Sequence, residues 1–384
     1  MKIVYLYTAL TTIGGADRIV SQKANYLADK MGHEVYIITD SQNGRPTAFP
    51  LSSKVKHIDM GIDFGKQYNH HLLLRFFYYK WFMHKYRNRL EKTYRMIQPD
   101  ITISTLGRDM DFLTEMKDGS IKIGESHIAK QYMRNFHLME AKGGIHKMAA
   151  RYWRKKQEKA IRKLDALVVL TKEDAQNWKR TRNTIVIPNF LTLDIQQASS
   201  CRGKKAISVG RLNEQKGYDL LIPAWGLVVQ KHPDWLLEIY GEGELRNELE
   251  HQISAYQLTA QIKICPPTPR ITEKYQESAF YIMSSRFEGF GLVLTEAMSC
   301  GLPCVSFDCP SGPSEIIQNK VDGILVENGN IGRLAAAICY MIKHEEERIK
   351  MGMNAKNNIS RYSKENIMRQ WDALFNHLTK NGAL

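Results

Sequence analysis

Residues 280–307 read FYIMSSRFEGFGLVLTEAMSCGLPCVSF. The first four, FYIM, are β-prone, and so are CVSF at the end. Between them a glycine-bearing loop leads into a helix-forming stretch that starts around Phe290–Gly291. Working outward, the strand candidates AISV, LLEIY and IKIC precede this unit and GILV follows it, each trailed by a helical or turn segment. An earlier series runs through KIVYLY, EVYIIT, 100–104, 121–124, 166–170 and 184–187. Two successive strand–helix series predict an α/β protein with two doubly wound parallel sheets. Pro188 to Lys204 breaks the pattern and marks the join. The expected domains are 1–190 and 191–363. A last helix, 364–384, places Ile367, Trp371, Leu374 and Leu378 on one face and is expected to complete the first domain.

The chain has 384 residues, 43% hydrophobic and 24% charged, which excludes collagen, coiled coil and wholesale disorder. Its most apolar stretch, Leu72–Phe82, is broken by Arg75 and Lys80 and is too short for a membrane span. The start, MKIVYLYTAL, lacks a signal peptide's features, so the chain is expected to stay in the cytoplasm. Six cysteines, all in the second half, match no zinc spacing and read as plain thiols.

The formal net charge is +14. Residues 1–200 hold 33 Lys+Arg against 19 Asp+Glu; the remainder holds 21 of each. A field so lopsided suits an anionic partner for the first half, whether nucleic acid, a phospholipid surface or a phosphorylated acceptor, or it only keeps the surface soluble. The basic, aromatic helical region from His71 to Met96 fits a membrane interface, a base-stacking surface, or a helix that packs its aromatics on the first sheet. A second basic helical region is expected from Lys130 to Leu164.

In an open α/β sheet, ligands bind beyond the carboxyl ends of the strands, and two such domains place the site in the cleft between them. Glu288 lies in the loop after FYIM and Glu296 inside the following helix. Their alternative is to be two solvated glutamates. A helix N-terminus with a carboxylate on either side suits a nucleotide-sugar: phosphates at the free N–H groups, hydroxyls on the glutamates. Arg211 and Lys216, after AISV, would add positive charge at the same end, although cations near a helix start are commonplace.

Together these features resemble the retaining glycosyltransferases of the GT-B fold, the large glycosyltransferase family 4 group. Glu288 and Glu296 match that family's Glu-x7-Glu motif, and Gly210-Arg211-Leu212 with Lys216-Gly217 matches its diphosphate loop. Gly14-Gly15, Ile187–Asn189 and DCPSGPSEII at 308–317 extend the likeness, the last toward transferases that build bacterial surface or lipid-linked glycans. The resemblance implies that Glu288 binds the donor hexose and Glu296 the ribose. Backbone N–H groups of Phe290, Gly291 and Leu292 would face the diphosphate or sugar, Arg211 and Lys216 would bind the phosphates, and Gly14 and Gly15 would approach them. His127, after the strand IKIG, would line the reaction centre, with Glu125 as a possible orienting partner. The resemblance implies no metal and no cofactor beyond a nucleotide-sugar substrate, with UDP-sugars the expected donors. It implies a glycan or lipid-linked acceptor and speaks against nucleic acid, and the charge excess of residues 1–200 adds the expectation of an anionic membrane surface against the first domain. Cys265–Pro269 departs from the family's pattern and leaves the nucleobase open.

Two patterns point elsewhere. Asp109-Met110-Asp111 looks like the Asp-x-Asp of metal-dependent transferases, and Gly241-Glu242-Gly243 like half a dinucleotide fingerprint. Neither has the context it needs. The rival readings are a basic nucleic-acid-binding protein, a sugar phosphorylase and a nucleotide-sugar epimerase.

Overall fold

The computed structural model describes residues 1–381 except 70, 182, 194 and 196; the expected end of the last helix, 382–384, lies outside them. The chain divides into two units. The first comprises residues 1–170, 174–187 and those from Ile367 on, and the second 171–173 and 188–366.

The first unit is built on seven parallel strands: β1 (Lys2–Tyr7), β2 (Glu34–Thr39), β3 (Val55–Asp59), β4 (Ile101–Ser104), β5 (Ile121–Glu125), β6 (Ala166–Val169) and β7 (Thr184–Val186). Their spatial order is β3-β2-β1-β4-β5-β6-β7, so the winding reverses between β1 and β4. Ile3–Leu6, Ile101 and Ile103 are fully buried, as central strands covered on both faces require. The strand pattern read from the sequence omitted β3. Its VKHID is polar and only Val55 is buried, the mark of an edge strand.

The second unit holds six parallel strands: β8 (Lys205–Val209), β9 (Leu236–Tyr240), β10 (Ile262–Cys265), β11 (Phe280–Met283), β12 (Cys304–Asp308) and β13 (Gly323–Glu327). The order β10-β9-β8-β11-β12-β13 reverses between β8 and β11. Both sheets are therefore doubly wound and parallel, as the two strand–helix series predict.

Four helices of the first unit matter for function. Helix α1 (Gly15–Asp29) follows β1, and α2 (Leu72–Ile97) follows β3. The second basic region is not one helix: α3 (Phe136–Ala141) and α4 (Gly144–Ile161) are separated by Lys142 and Gly143, and the chain turns at Gly143 and at Gly144, the first residue of α4, with φ of 70° and 49°. Helix α2 does two things at once. Phe82, Met83, Tyr86, Leu90, Tyr94 and Ile97 join the core, whereas Phe76, Phe77 and Trp81 stay exposed. The helix Lys364–Asn381 buries Ile367, Trp371, Leu374 and Leu378. Among the described residues, no helix is long and apolar enough to cross a membrane.

Candidate active site

In the second unit the candidate residues gather at the switch between β8 and β11, where the loops after these strands lie side by side. Gln215 stitches them together: its carbonyl accepts from the Arg286 N–H at 2.8 Å, and its amide donates to the Phe287 carbonyl at 3.0 Å. Ser284 Oγ adds a bond to the Lys216 carbonyl at 2.9 Å. Gly217, at φ 63°, permits this closeness, because a Cβ there would land on the Ser284 carbonyl.

This stitching brings Lys216 and Glu288 together. Lys216 Nζ donates to Glu288 Oε1 at 2.7 Å, and Ser285 Oγ donates to the same oxygen at 2.7 Å. Both bonds fall on Oε1, which leaves the lone pairs of Oε2 to accept from a hydroxyl. Arg211 is exposed on the same loop. Glu296 is held by hydroxyls, from Thr192 at 3.0 Å and Tyr275 at 3.4 Å. Both glutamates are 7% exposed, so the reading as two solvated carboxylates does not hold.

Phe290 and Gly291 precede the helix Leu292–Ser299, whose N-cap is Gly291 at φ 98°. The helix thus begins one residue later than expected. The Leu294 N–H already turns back to the Gly291 carbonyl at 2.9 Å, while the N–H groups of Leu292 and Val293 come before any helix carbonyl they could bond and lie at the positive end of the helix dipole. Burial, with Glu288 adding to it, pushes the neighbouring Cys309 thiol up and so disfavours its thiolate.

In the first unit, Gly14 caps α1 just beyond β1, and Gly15 is the helix's first residue. Asp17 pins the loop before them, accepting from the Tyr7 hydroxyl at 2.7 Å and the Thr12 N–H at 2.8 Å. His127 follows β5. Its Nε2 lies 3.6 Å from Glu125 Oε1, and neither ring nitrogen makes a hydrogen bond among the described residues. Glu125 instead takes its hydrogen bond from Lys23 of α1, a pair with side chains 1% and 2% exposed. The Lys23 ammonium also sits 3.9 Å from the ring centroid of Trp371. Burial raises the Glu125 carboxyl, but Lys23 and His127 outweigh it and hold it below its ordinary value. Burial lowers the His127 imidazole, against the pull of Glu125, so the ring is neutral at pH 7. Glu125 therefore acts on His127 through charge, not through the direct hydrogen bond expected of an orienting partner.

The two discounted patterns have structural roles. Asp111 Oδ2 accepts from Tyr79 at 3.1 Å and pairs with Lys156 at 3.4 Å. Asp109 is buried, and burial raises its pKa to about 6. At Gly241 and Gly243 a Cβ would meet the carbonyls of Gly210 and Leu212, so these glycines let the loop after β9 touch the loop after β8.

Sequence reasoning missed Ser285, Thr192, Tyr275 and Lys23. Only Ser285 carried a local signal, three residues before Glu288; the other pairings span 21 to 104 residues of sequence.

Residues 193–358 match the family model of glycosyl transferases group 1. An uncharacterized glycosyltransferase of Haemophilus influenzae is 31% identical over 219 residues, which is 56% of this chain and 62% of the relative. The poly(ribitol-phosphate) alpha-N-acetylglucosaminyltransferase of Staphylococcus aureus is 30% identical over 230 residues, 58% of this chain and 47% of the relative. The chain thus covers less than two thirds of either relative's length. A variant of S. aureus TarM, solved with fondaparinux, alpha-GlcNAc-glycerol and UDP, superposes with a TM-score of 0.78 at 17% identity, covering 98% of this chain and 99% of that one. At that identity the likeness shows the fold, which is GT-B.

Proposed function

We propose that this protein is a retaining glycosyltransferase that moves a hexose or N-acetylhexosamine from a nucleotide-sugar to a glycan or lipid-linked glycan in cell-surface polymer synthesis. The observation that carries the reading is the buried Glu288 carboxylate, bound on one oxygen by Lys216 and Ser285 and open on the other, beside a helix N-terminus. The UDP in the TarM variant structure and the sugar-polymer activity of the S. aureus relative support it.

In this account the diphosphate lies at the helix Leu292–Ser299, with Arg211 and Lys216 offsetting its charge. Phe290, Gly291 and Leu292 offer N–H groups, Glu288 receives hexose hydroxyls and Glu296 the ribose. Gly14, Gly15 and His127 belong to the acceptor unit. The acceptor hydroxyl attacks on the face from which the diphosphate departs, so the anomeric configuration is kept. Two cations take the role a metal would have, and no cofactor is needed beyond the donor, for which UDP is the base we favour. The basic first unit would hold the protein at the inner face of an anionic membrane.

The test is turnover of UDP-, GDP- and ADP-sugars with lipid-linked and polymer acceptors in EDTA, with product anomers read by NMR. The proposal expects one donor to be turned over with its configuration retained. Inversion, dependence on free phosphate, conversion of the donor without an acceptor, or activity only with added Mg²⁺ would each overturn part of it.

A further inference from the structure

Two helical surfaces of the first unit combine acid-free sequence with exposed apolar side chains. Residues 141–157 contain six Lys or Arg and no Asp or Glu, and residues 64–90 likewise contain six and none. On α4, Ile145, Met148 and Tyr152 recur at helical spacing on one face and are 79%, 72% and 64% exposed. On the first half of α2, Phe76, Phe77 and Trp81 are 53%, 67% and 54% exposed. Phe82, which could have joined them, is in the core. Lys80 and Lys85 sit over the rings of Phe76 and Trp81 at 5.6 and 5.4 Å.

The two helices are tied to each other. Asp111 Oδ2 takes the Tyr79 hydroxyl of α2 and the Lys156 ammonium of α4. Glu140 of α3 pairs with Arg154 of α4 at 3.2 Å, which closes α3 and α4 into a hairpin. The Gly143–Gly144 turn and the first turns of α4 stand in solvent.

We propose that the tip of the α3–α4 hairpin, together with the exposed Phe76, Phe77 and Trp81 of α2, is a docking surface for an anionic phospholipid bilayer. The apolar side chains enter the headgroup–acyl boundary while the cations meet the lipid phosphates. Charge alone would suit a soluble polyanion equally well. The exposed Ile, Met, Phe and Trp decide between them, because a phosphate polymer would leave these side chains in water. A second copy of the chain would bring a face of the same charge. This surface deepens the membrane placement proposed above and does not depend on the transferase chemistry.

The test uses the full chain and vesicles of phosphatidylcholine alone or mixed with phosphatidylglycerol. The parent should co-sediment with the mixed vesicles, less so at high salt, and weakly with phosphatidylcholine alone. The triple change Ile145→Ser, Met148→Ser, Tyr152→Ser alters no charge and no buried side chain, yet should weaken binding at least ~10-fold. The triple change Lys147→Gln, Arg151→Gln, Lys155→Gln should remove most of the salt-sensitive part. Titration of the same preparations with UDP, GDP and ADP separates the two proposals: vesicle binding with no binding of any of the three would leave the surface standing and the transferase reading refuted. Equal binding to both vesicle types, no binding to either, concentration-dependent self-association in place of vesicle binding, or an unchanged apolar variant whose binding soluble polyphosphate competes away would each overturn the docking surface.

Discussion

Lys216 and Glu288, 72 residues apart in sequence, meet at 2.7 Å, with side chains 17% and 8% exposed. The cation assigned to the donor's phosphates and the carboxylate assigned to its sugar are thus one ion pair. Under the proposed function, a diphosphate approaching Lys216 would change the charge that Glu288 feels, so donor binding and hexose recognition would be linked.

Removing one partner of this mostly buried pair leaves the other uncompensated. Lys216→Met and Glu288→Gln should each cost ~2 kcal/mol of stability, and the double variant should cost less than their sum by ~1 kcal/mol or more. Urea denaturation of the four proteins measures this. Additive losses would mean that the pair contributes nothing as a pair.

Lys23, Glu125 and His127 give a second prediction, independent of turnover. The charged groups facing His127 are Glu125 on β5 and Lys23 and Asp17 on α1, and the Tyr5 hydroxyl on β1 faces Glu125. Lys23→Met leaves the Glu125 charge unbalanced and should raise the His127 pKa. Glu125→Gln removes the attraction and should lower it. Shifts of about one unit in opposite directions are expected from the loss of a single nearby charge. NMR titration of labelled histidine, with His127→Gln for assignment, reads both. Shifts of the same sign, or none, would assign the pair a packing role alone.

Asp109 gives a pH prediction. Its pKa in the fold is about 6, against an ordinary value of 3.8, because burial disfavours the charge. Between these values the folded state binds the extra proton, so this group's contribution to stability falls as pH rises through that window. Above it the full cost remains, on the order of 2–3 kcal/mol at about 1.4 kcal/mol per unit. Asp109→Asn should therefore raise the melting temperature at pH 7.5 and have little effect near pH 4. A variant less stable at pH 7.5 would show that the ionised carboxylate is needed.

Much of this was legible in the sequence because it is local. All six strands of the second sheet stood out as short apolar runs, since buried parallel strands admit little else. Glu288 and Glu296 announced themselves by their spacing around a glycine loop. β3 was missed because an edge strand with one buried residue has no apolar run. The break between α3 and α4 was missed because two adjacent glycines inside a basic, helix-forming stretch did not outweigh their surroundings. Lys23 was invisible for a different reason. A lysine in a helical pattern reads as solvated, and its partner Glu125 lies 102 residues away.

Arg211 and Lys216 carry the central claim, that the second unit grips a nucleoside diphosphate without a metal. The direct measurement is calorimetric titration of UDP into the whole chain in EDTA, repeated for Arg211→Ala and Lys216→Ala. The account predicts saturable binding by the parent, weakened ~10–100-fold in each variant, as expected for loss of a charge-assisted contact worth ~1.5–3 kcal/mol. Variants that bind UDP as tightly as the parent, or a parent that binds none without a divalent cation, would contradict it.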